Sequence, residues 1–215
     1  MYEEYERKSK FKYILVLIIL AGLIAYGVYA KGTRSHLNGL MEPIQTECEG
    51  GTEFTLRGYD VKIDYLYEYD ATALVVHTKD YPGMSLERRL SPKDVALAWG
   101  SVAAYNEMID FHWKQRGRWV YWNTNTYEEL KPIGDVSDVD SQSSNNHLVP
   151  ADVNVRRQIA KIRRGDVVRI RGYLVNINAK SSNGAYFNWK SSTKRTDSGD
   201  GACELIYVTA VDWVK

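Results

Sequence analysis

The chain has little cysteine, little proline and almost no net charge. Two cysteines in 215 residues exclude a disulfide-dense miniprotein. Five prolines and 16 glycines without a repeat exclude a collagen-like chain. With 28 basic against 27 acidic side chains, the charge balance gives no reason to expect nucleic acid as a partner. Only one stretch is long and apolar enough to read as a bilayer span, which excludes a polytopic membrane protein. What is present, 44% apolar and 12% aromatic residues, suffices for a folded core and excludes a disordered chain. The length suits one globular domain or two small ones.

The apolar stretch is Tyr13–Ala30, YILVLIILAGLIAYGVYA, with no charge between Lys12 and Lys31. As a helix it covers about 27 Å, near the hydrocarbon thickness of a bilayer. Tyr13, Tyr26 and Tyr29 lie towards its ends, where amphipathic rings favour the headgroup region. Arg7, Lys8, Lys10 and Lys12 precede it, against Lys31 and Arg34 after it, a positive-inside bias that places the N-terminus in the cytoplasm. The sequence is therefore read as a cytoplasmic tail (1–12), a transmembrane signal anchor in contact with the lipid bilayer (13–30), a linker (31–52) and an extracytoplasmic domain (53–215), periplasmic or extracellular. The alternatives are a cleaved signal ending at Val28-Tyr29-Ala30 and a buried core helix. Export would place Cys48 and Cys203 in an oxidising compartment. A bridge between them closes a loop of about 155 residues; two unbridged thiols are the alternative.

Within the exported part, Val61, Ile63, Tyr65 and Tyr67 alternate with more polar neighbours, and Thr72–Thr78 is rich in β-formers, with a turn expected at Glu68–Ala71. Ser91-Pro92-Lys93-Asp94 reads as a helix start, and Val95, Trp99, Val102 and Ile109 as its inner face to about Asp110. Arg118–Trp122 reads as a strand. Residues 123–149 read as a long polar surface loop and as the candidate subdomain boundary. Pro150-Ala151-Asp152 opens a second helix with Val155, Ile159 and Ile162 inward. Strands follow at Asp166–Ile177, Ala185–Ser191 and Cys203–Val214. The fold class expected is α+β: one N-terminal transmembrane helix, then a mainly antiparallel β domain with two helices. The alternation around Gly172 suggests a small OB-like barrel in the C-terminal part.

Two strings stand out, SxNxHLVPA at Ser143–Ala151 and SSxxRxDxGxGACE at Ser191–Glu204. Together with Leu90–Gly100 and the Arg118-Trp119 strand, the chain resembles an uncharacterised family of bacterial membrane-anchored proteins. The resemblance implies location and domain unity and carries no activity.

Candidate chemistry is sparse. Cys203 as nucleophile with His147 as base is one arrangement, but Cys203 precedes a strand with neither a helix N-terminus nor a histidine nearby in sequence. A serine hydrolase built from Ser191 or Ser192, His147 and Asp197 lacks both the G-x-S-x-G and S-x-x-K signatures. His36, His77, His112 and His147 are scattered without metal-ligand spacing, so neither metal nor cofactor is expected. Asp135, Asp138 and Asp140 have calcium-like spacing without the glycine and glutamate of an EF-hand, and read as a solvated acidic loop. Seven basic residues between Val155 and Arg171, with Lys190, Lys194 and Arg195, make either a solvated helix face or a surface for anionic lipid or cell-wall polymers. Trp113, Trp119, Trp122 and Tyr127 make either core or a stacking platform for sugar rings or peptide side chains.

The resulting expectation is a non-enzymatic, membrane-anchored binding or accessory module of the cell envelope. Its groove is edged by Arg195, Asp197, His147 and Trp119, and its partner is an envelope protein or an anionic cell-wall or lipid component, without nucleic acid. The alternatives are an envelope peptide or glycan hydrolase using His147 with Cys203 or Ser192, and a subunit of a larger membrane complex.

Overall fold

A computed structural model gives the fold and describes residues 12–26, 37–194 and 202–214. The chain divides into two compact units, residues 1–36 and 37–215.

In the first unit, residues 12–26 form helix α1. No helix among the described residues is long and apolar enough to cross a membrane. That corrects the expectation of a transmembrane signal anchor over 13–30; its residues 27–30 lie outside the described residues.

The second unit is built around a sheet that closes on itself. Strand β3 (Tyr59–Asp80) is 22 residues long and pairs with β4 (Lys93–Ala98) through its C-terminal part. It pairs with β8 (Val167–Ser181) along most of its length. From β4 the ring continues through β7 (Ser143–Pro150) and β10 (Glu204–Trp213) back to β8. Every neighbour in this five-stranded ring is antiparallel except β7 and β10, which run parallel. Two irregularities in β3, at Tyr65/Tyr67 against β8 and at Val75/His77 against β4, give so long a strand the bend that closure requires. At Gly172 of β8 a Cβ would fall inside the backbone carbonyl of Tyr207 on β10, so the close approach there depends on glycine. The barrel draws on strands from Tyr59 to Trp213, which corrects its confinement to the C-terminal part.

Side chains of alternate residues fill the ring, among them Ala71, Leu97, Leu148, Ile170, Leu174 and Ile206, all buried. Beyond the ring, β3 and β8 extend as a ribbon flanked by β2 (Gly51–Leu56) and β9 (Tyr186–Lys190). A smaller core with Ile63, Leu90, Val175, Ile177 and Leu205 lies here. Strand β1 (Ile44–Glu47) pairs with β3, and Leu37 and Leu40 are buried, so 31–52 is not simply a linker.

Several expected elements differ. Helix α2 (Leu86–Leu90) precedes β4, and α3 (Gly100–Tyr105) follows it; the single helix expected over 91–110 is absent. Every residue of β4 is buried, between β3 and β7, so its apolar residues face two sides of a sheet and not one side of a helix. Glu68–Ala71 is no turn; Tyr69 and Ala71 pair with Gly172 and Ile170 inside continuous β3. The stretch 123–149 holds a 3-10 turn (Tyr127–Leu130), helix α4 (Val136–Ser141) and most of β7, a central strand, so no subdomain boundary falls there. Instead of two helices after the anchor, the described residues hold α2 to α5, with α5 at Val153–Lys161.

Helix α5 is capped at both ends. The Asp152 carboxylate accepts from Asn154 N at 2.7 Å and Val155 N at 2.9 Å. At the other end Lys93 Nζ, on a residue only 4% exposed, donates to Ile162 O at 3.0 Å and Ala160 O at 3.4 Å, with Asp80 Oδ1 at 3.3 Å. Val155, Ile159 and Ile162 are the buried face.

Replacing Gly172 by Ala is expected to cost about 2–3 kcal/mol, because the obstructing atoms are backbone and cannot rotate away. Urea unfolding measures this, and an unchanged midpoint would contradict the geometry. Asp70 has its pKa lowered, chiefly by the hydrogen bond from Arg169. A depressed carboxylate contributes stability above its ordinary range and loses it as pH falls through the folded value. Wild type should therefore lose more stability than Asp70→Asn between about pH 5 and about pH 2, measured by urea titration at each pH.

Candidate functional site

The four sequence segments singled out above meet at one buried polar cluster. Strand β5 (Lys114–Arg116) and strand β6 (Trp119–Tyr121) form a hairpin whose tip is Gly117-Arg118, with Gly117 at φ +54°. Arg118 folds back from that tip onto the barrel. Its Nε meets Glu87 Oε1 at 2.6 Å and its Nη1 meets Asp94 Oδ1 at 2.6 Å. Nη2 donates to Ser91 O at 2.9 Å. The guanidinium carbon lies 3.9 Å from the ring centre of Tyr81 and 5.0 Å from that of Trp189, so the cation has aromatic neighbours as well as hydrogen-bond partners.

Asp94 is 0% exposed and stands opposite His147 in the β4–β7 register. His147 Nδ1 is 3.0 Å from Asp94 Oδ1, on a residue 3% exposed. The ring nitrogen is off the line of a hydrogen bond, so the contact is one of proximity. Tyr81 completes the group. Its hydroxyl donates to Gly117 O, and its pKa is pushed upward, first by burial and then by the Asp94 carboxylate.

A second chain of contacts ties down the hairpin backbone. Gln115 Oε1 lies 2.9 Å from His77 Nδ1, and Gln115 Nε2 donates to Asn145 Oδ1 at 2.6 Å. Asn145 Nδ2 donates to Arg118 O at 2.8 Å and to Cys203 Sγ at 3.4 Å. The hairpin tip is thus held through side chain and main chain at once.

Of the residues proposed from sequence, His147, Trp119 and Cys203 come to this neighbourhood. Trp119 directly follows Arg118, and Cys203 Sγ lies 3.7 Å from Arg118 O. Ser192 N donates to Cys203 O at 2.9 Å, while the Ser192 hydroxyl donates to Lys194 O at 3.2 Å. His147 Nδ1 lies 3.0 Å from Asp94 Oδ1, and the structure brings together an Asp–His–Arg group. Arg195 and Asp197 lie outside the described residues. Cys48 and Cys203 are not joined in a disulfide, which corrects the expected bridge. Cys48 sits between β1 and β2, its N donating to Leu66 O at 3.1 Å.

Other candidates take structural roles. Asp135 and Asp138 form the capping box of α4, and Asp140 accepts from Trp122 Nε1 at 2.9 Å. No group of metal-ligating side chains occurs among the described residues. Within the basic stretch, Arg169 is paired with Asp70 and Arg171 with Asp212. Trp113 is buried, its Nε1 donating to Asn106 Oδ1, and belongs to the core and not to a platform. Asp94, Arg118, Tyr81, Glu87 and Trp189 escaped the sequence reading as a site. Asp94 lies in Leu90–Gly100 and Arg118 opens the Arg118-Trp119 strand, but the sequence around Asp94 has the spacing of a helix-capping acid.

Beside the cluster two clefts meet. An inner cleft of about 270 Å³ runs between β6 and the starts of β7 and β10, lined by Trp119, Tyr121, Ser144, Asn145 and Cys203. An outer cleft of about 420 Å³ lies over residues 122–127, and Trp122 and Asp140 line both. No protein-family model, curated protein or solved structure matches the chain.

Arg118→Ala is expected to destabilise the protein by about 3–5 kcal/mol, since it leaves the Asp94 carboxylate buried without its principal cation. Adding Asp94→Ala should restore part of that loss, a coupling read from urea unfolding of the two single variants and the double. Strict additivity would mean the pair is not coupled.

Proposed function

We propose that the second unit is a non-enzymatic binding module whose recognition surface is the pair of clefts along the β5–β6 hairpin. The observation that carries this is the state of Arg118. Nε, Nη1 and Nη2 are all engaged by Glu87, Asp94 and Ser91, and the guanidinium lies beside Tyr81 and Trp189. A cation so placed anchors its hairpin and does not act on a substrate. The same anchoring leaves Trp119, Tyr121 and Trp122 along the clefts, on a backbone fixed by Asn145. Aromatic walls over a floor of Ser144, Asn145 and Cys203 supply apolar area with a few directed polar groups, the composition of a ligand site.

The test is fluorine NMR of the full chain carrying 5-fluorotryptophan. The probes are a pool of random decapeptides and a pool of neutral oligosaccharides. Trp119 and Trp122 resonances should shift while Trp213, at the opposite end of β10, does not, and the probes should be recovered intact. Cleavage of a probe that disappears in His147→Gln would overturn the reading in favour of a hydrolase. Absence of any shift from both pools would overturn it as well.

A further inference from the structure

From the outer cleft we infer that the ligand is a neutral oligosaccharide. This rests on the binding reading and specifies its chemistry. The cleft is walled by Trp122 and by Tyr127, the latter 78% exposed, and its floor is the run Asn123, Thr124, Asn125 and Thr126. A large aromatic ring standing in water presents a flat face of the kind that the C–H side of a pyranose covers. Sugar hydroxyls then require neighbouring donors and acceptors at fixed positions.

The floor is held by hydrogen bonds to its own and neighbouring residues. Asn123 N donates to Phe111 O at 3.0 Å, and the Thr124 hydroxyl donates to Thr126 O at 3.0 Å. The Asn125 amide is oriented by His112, whose Nε2 lies 3.2 Å from Asn125 Oδ1. His112 is itself fixed, with its backbone at φ +45° and its Nδ1 3.2 Å from Asp110 Oδ2. With Oδ1 turned on His112, Asn125 Nδ2 is left as a donor. The Asn123 amide and the Tyr127 hydroxyl make no hydrogen bond to any described residue, and Asp140 keeps Oδ2 after Oδ1 accepts from Trp122. Amide, phenol and carboxylate groups at one aromatic wall match vicinal hydroxyls.

Charge and topology count against two other ligand classes. The outer cleft is lined by no lysine or arginine among the described residues, and Asp140 lines it, so its charge disfavours phosphorylated or sulfated ligands. The outer cleft is lined by loop and helix residues with no strand edge, so an extended peptide finds no backbone ladder to join.

The experiment titrates the full chain with cellohexaose, N-acetylchitohexaose and maltohexaose, followed by tryptophan fluorescence and calorimetry. At least one should bind, with affinity reduced about tenfold in Tyr127→Ala and kept within about threefold in Tyr127→Phe, which retains the ring. Tyr186→Ala, at an equally exposed tyrosine on β9, should bind as wild type does. No binding of any of the three up to about 5 mM, or binding indifferent to Tyr127→Ala, overturns the inference. If instead a heparin hexasaccharide or the decapeptide pool binds in a Tyr127-dependent way, the carbohydrate assignment fails while the binding module stands.

Discussion

A carboxylate removed from water must find compensating charge, and the arrangement around Asp94 follows from that need. Asp94 lies near the start of β4 in the barrel wall, and its cation arrives from the hairpin tip, 24 residues on in the chain. His147 arrives from β7, and the aromatic cover on Arg118 from β3 and β9. No other register serves all of these. A slip of β4 against β7 by one residue would turn Asp94 to the opposite face, away from both Arg118 and His147. The cluster therefore selects one pairing among several that the apolar residues alone would tolerate.

The parts of the fold visible in the sequence are those where burial has a simple period. Strands β8 and β10 alternate, and α5 carries its apolar residues on one face between an aspartate cap and a lysine-bound end. Strand β4 was misread because Ser91-Pro92-Lys93-Asp94 has the composition of a helix start, while in the fold Ser91 and Asp94 hold Arg118 and Lys93 reaches α5. Strand β7 was misread for the opposite reason: SSNNHLVP is polar enough for a loop. Its asparagines and histidine are buried because each meets a partner from another strand or from the hairpin, a fact about tertiary structure that no periodicity contains. The apolar run of 13–30 has the composition of a span, whereas no helix among the described residues is long and apolar enough to cross a membrane.

The candidate site was legible only in outline. Trp119 and Cys203 line one cleft, while His147 meets Asp94 in the neighbouring cluster. Their roles were not legible, since the carboxylate that His147 Nδ1 meets belongs to Asp94, whose place after Ser91-Pro92 has the spacing of a helix-capping acid. The two clefts depend on where the hairpin and α4 are held, and Asp140 reaches Trp122 from an acidic stretch that resembles solvated loop.

The parallel pairing of β7 with β10 has a consequence for biosynthesis. β10 is the last of the five ring strands to leave the ribosome, and it is the piece that fits between β7 and β8. Until it emerges, those two carry bare backbone edges, and β4 and β7 hang from β3 as an open, sticky sheet. Nascent chains must wait in that state, so a message cut short before residue 204 would yield an aggregation-prone fragment and not a smaller working barrel.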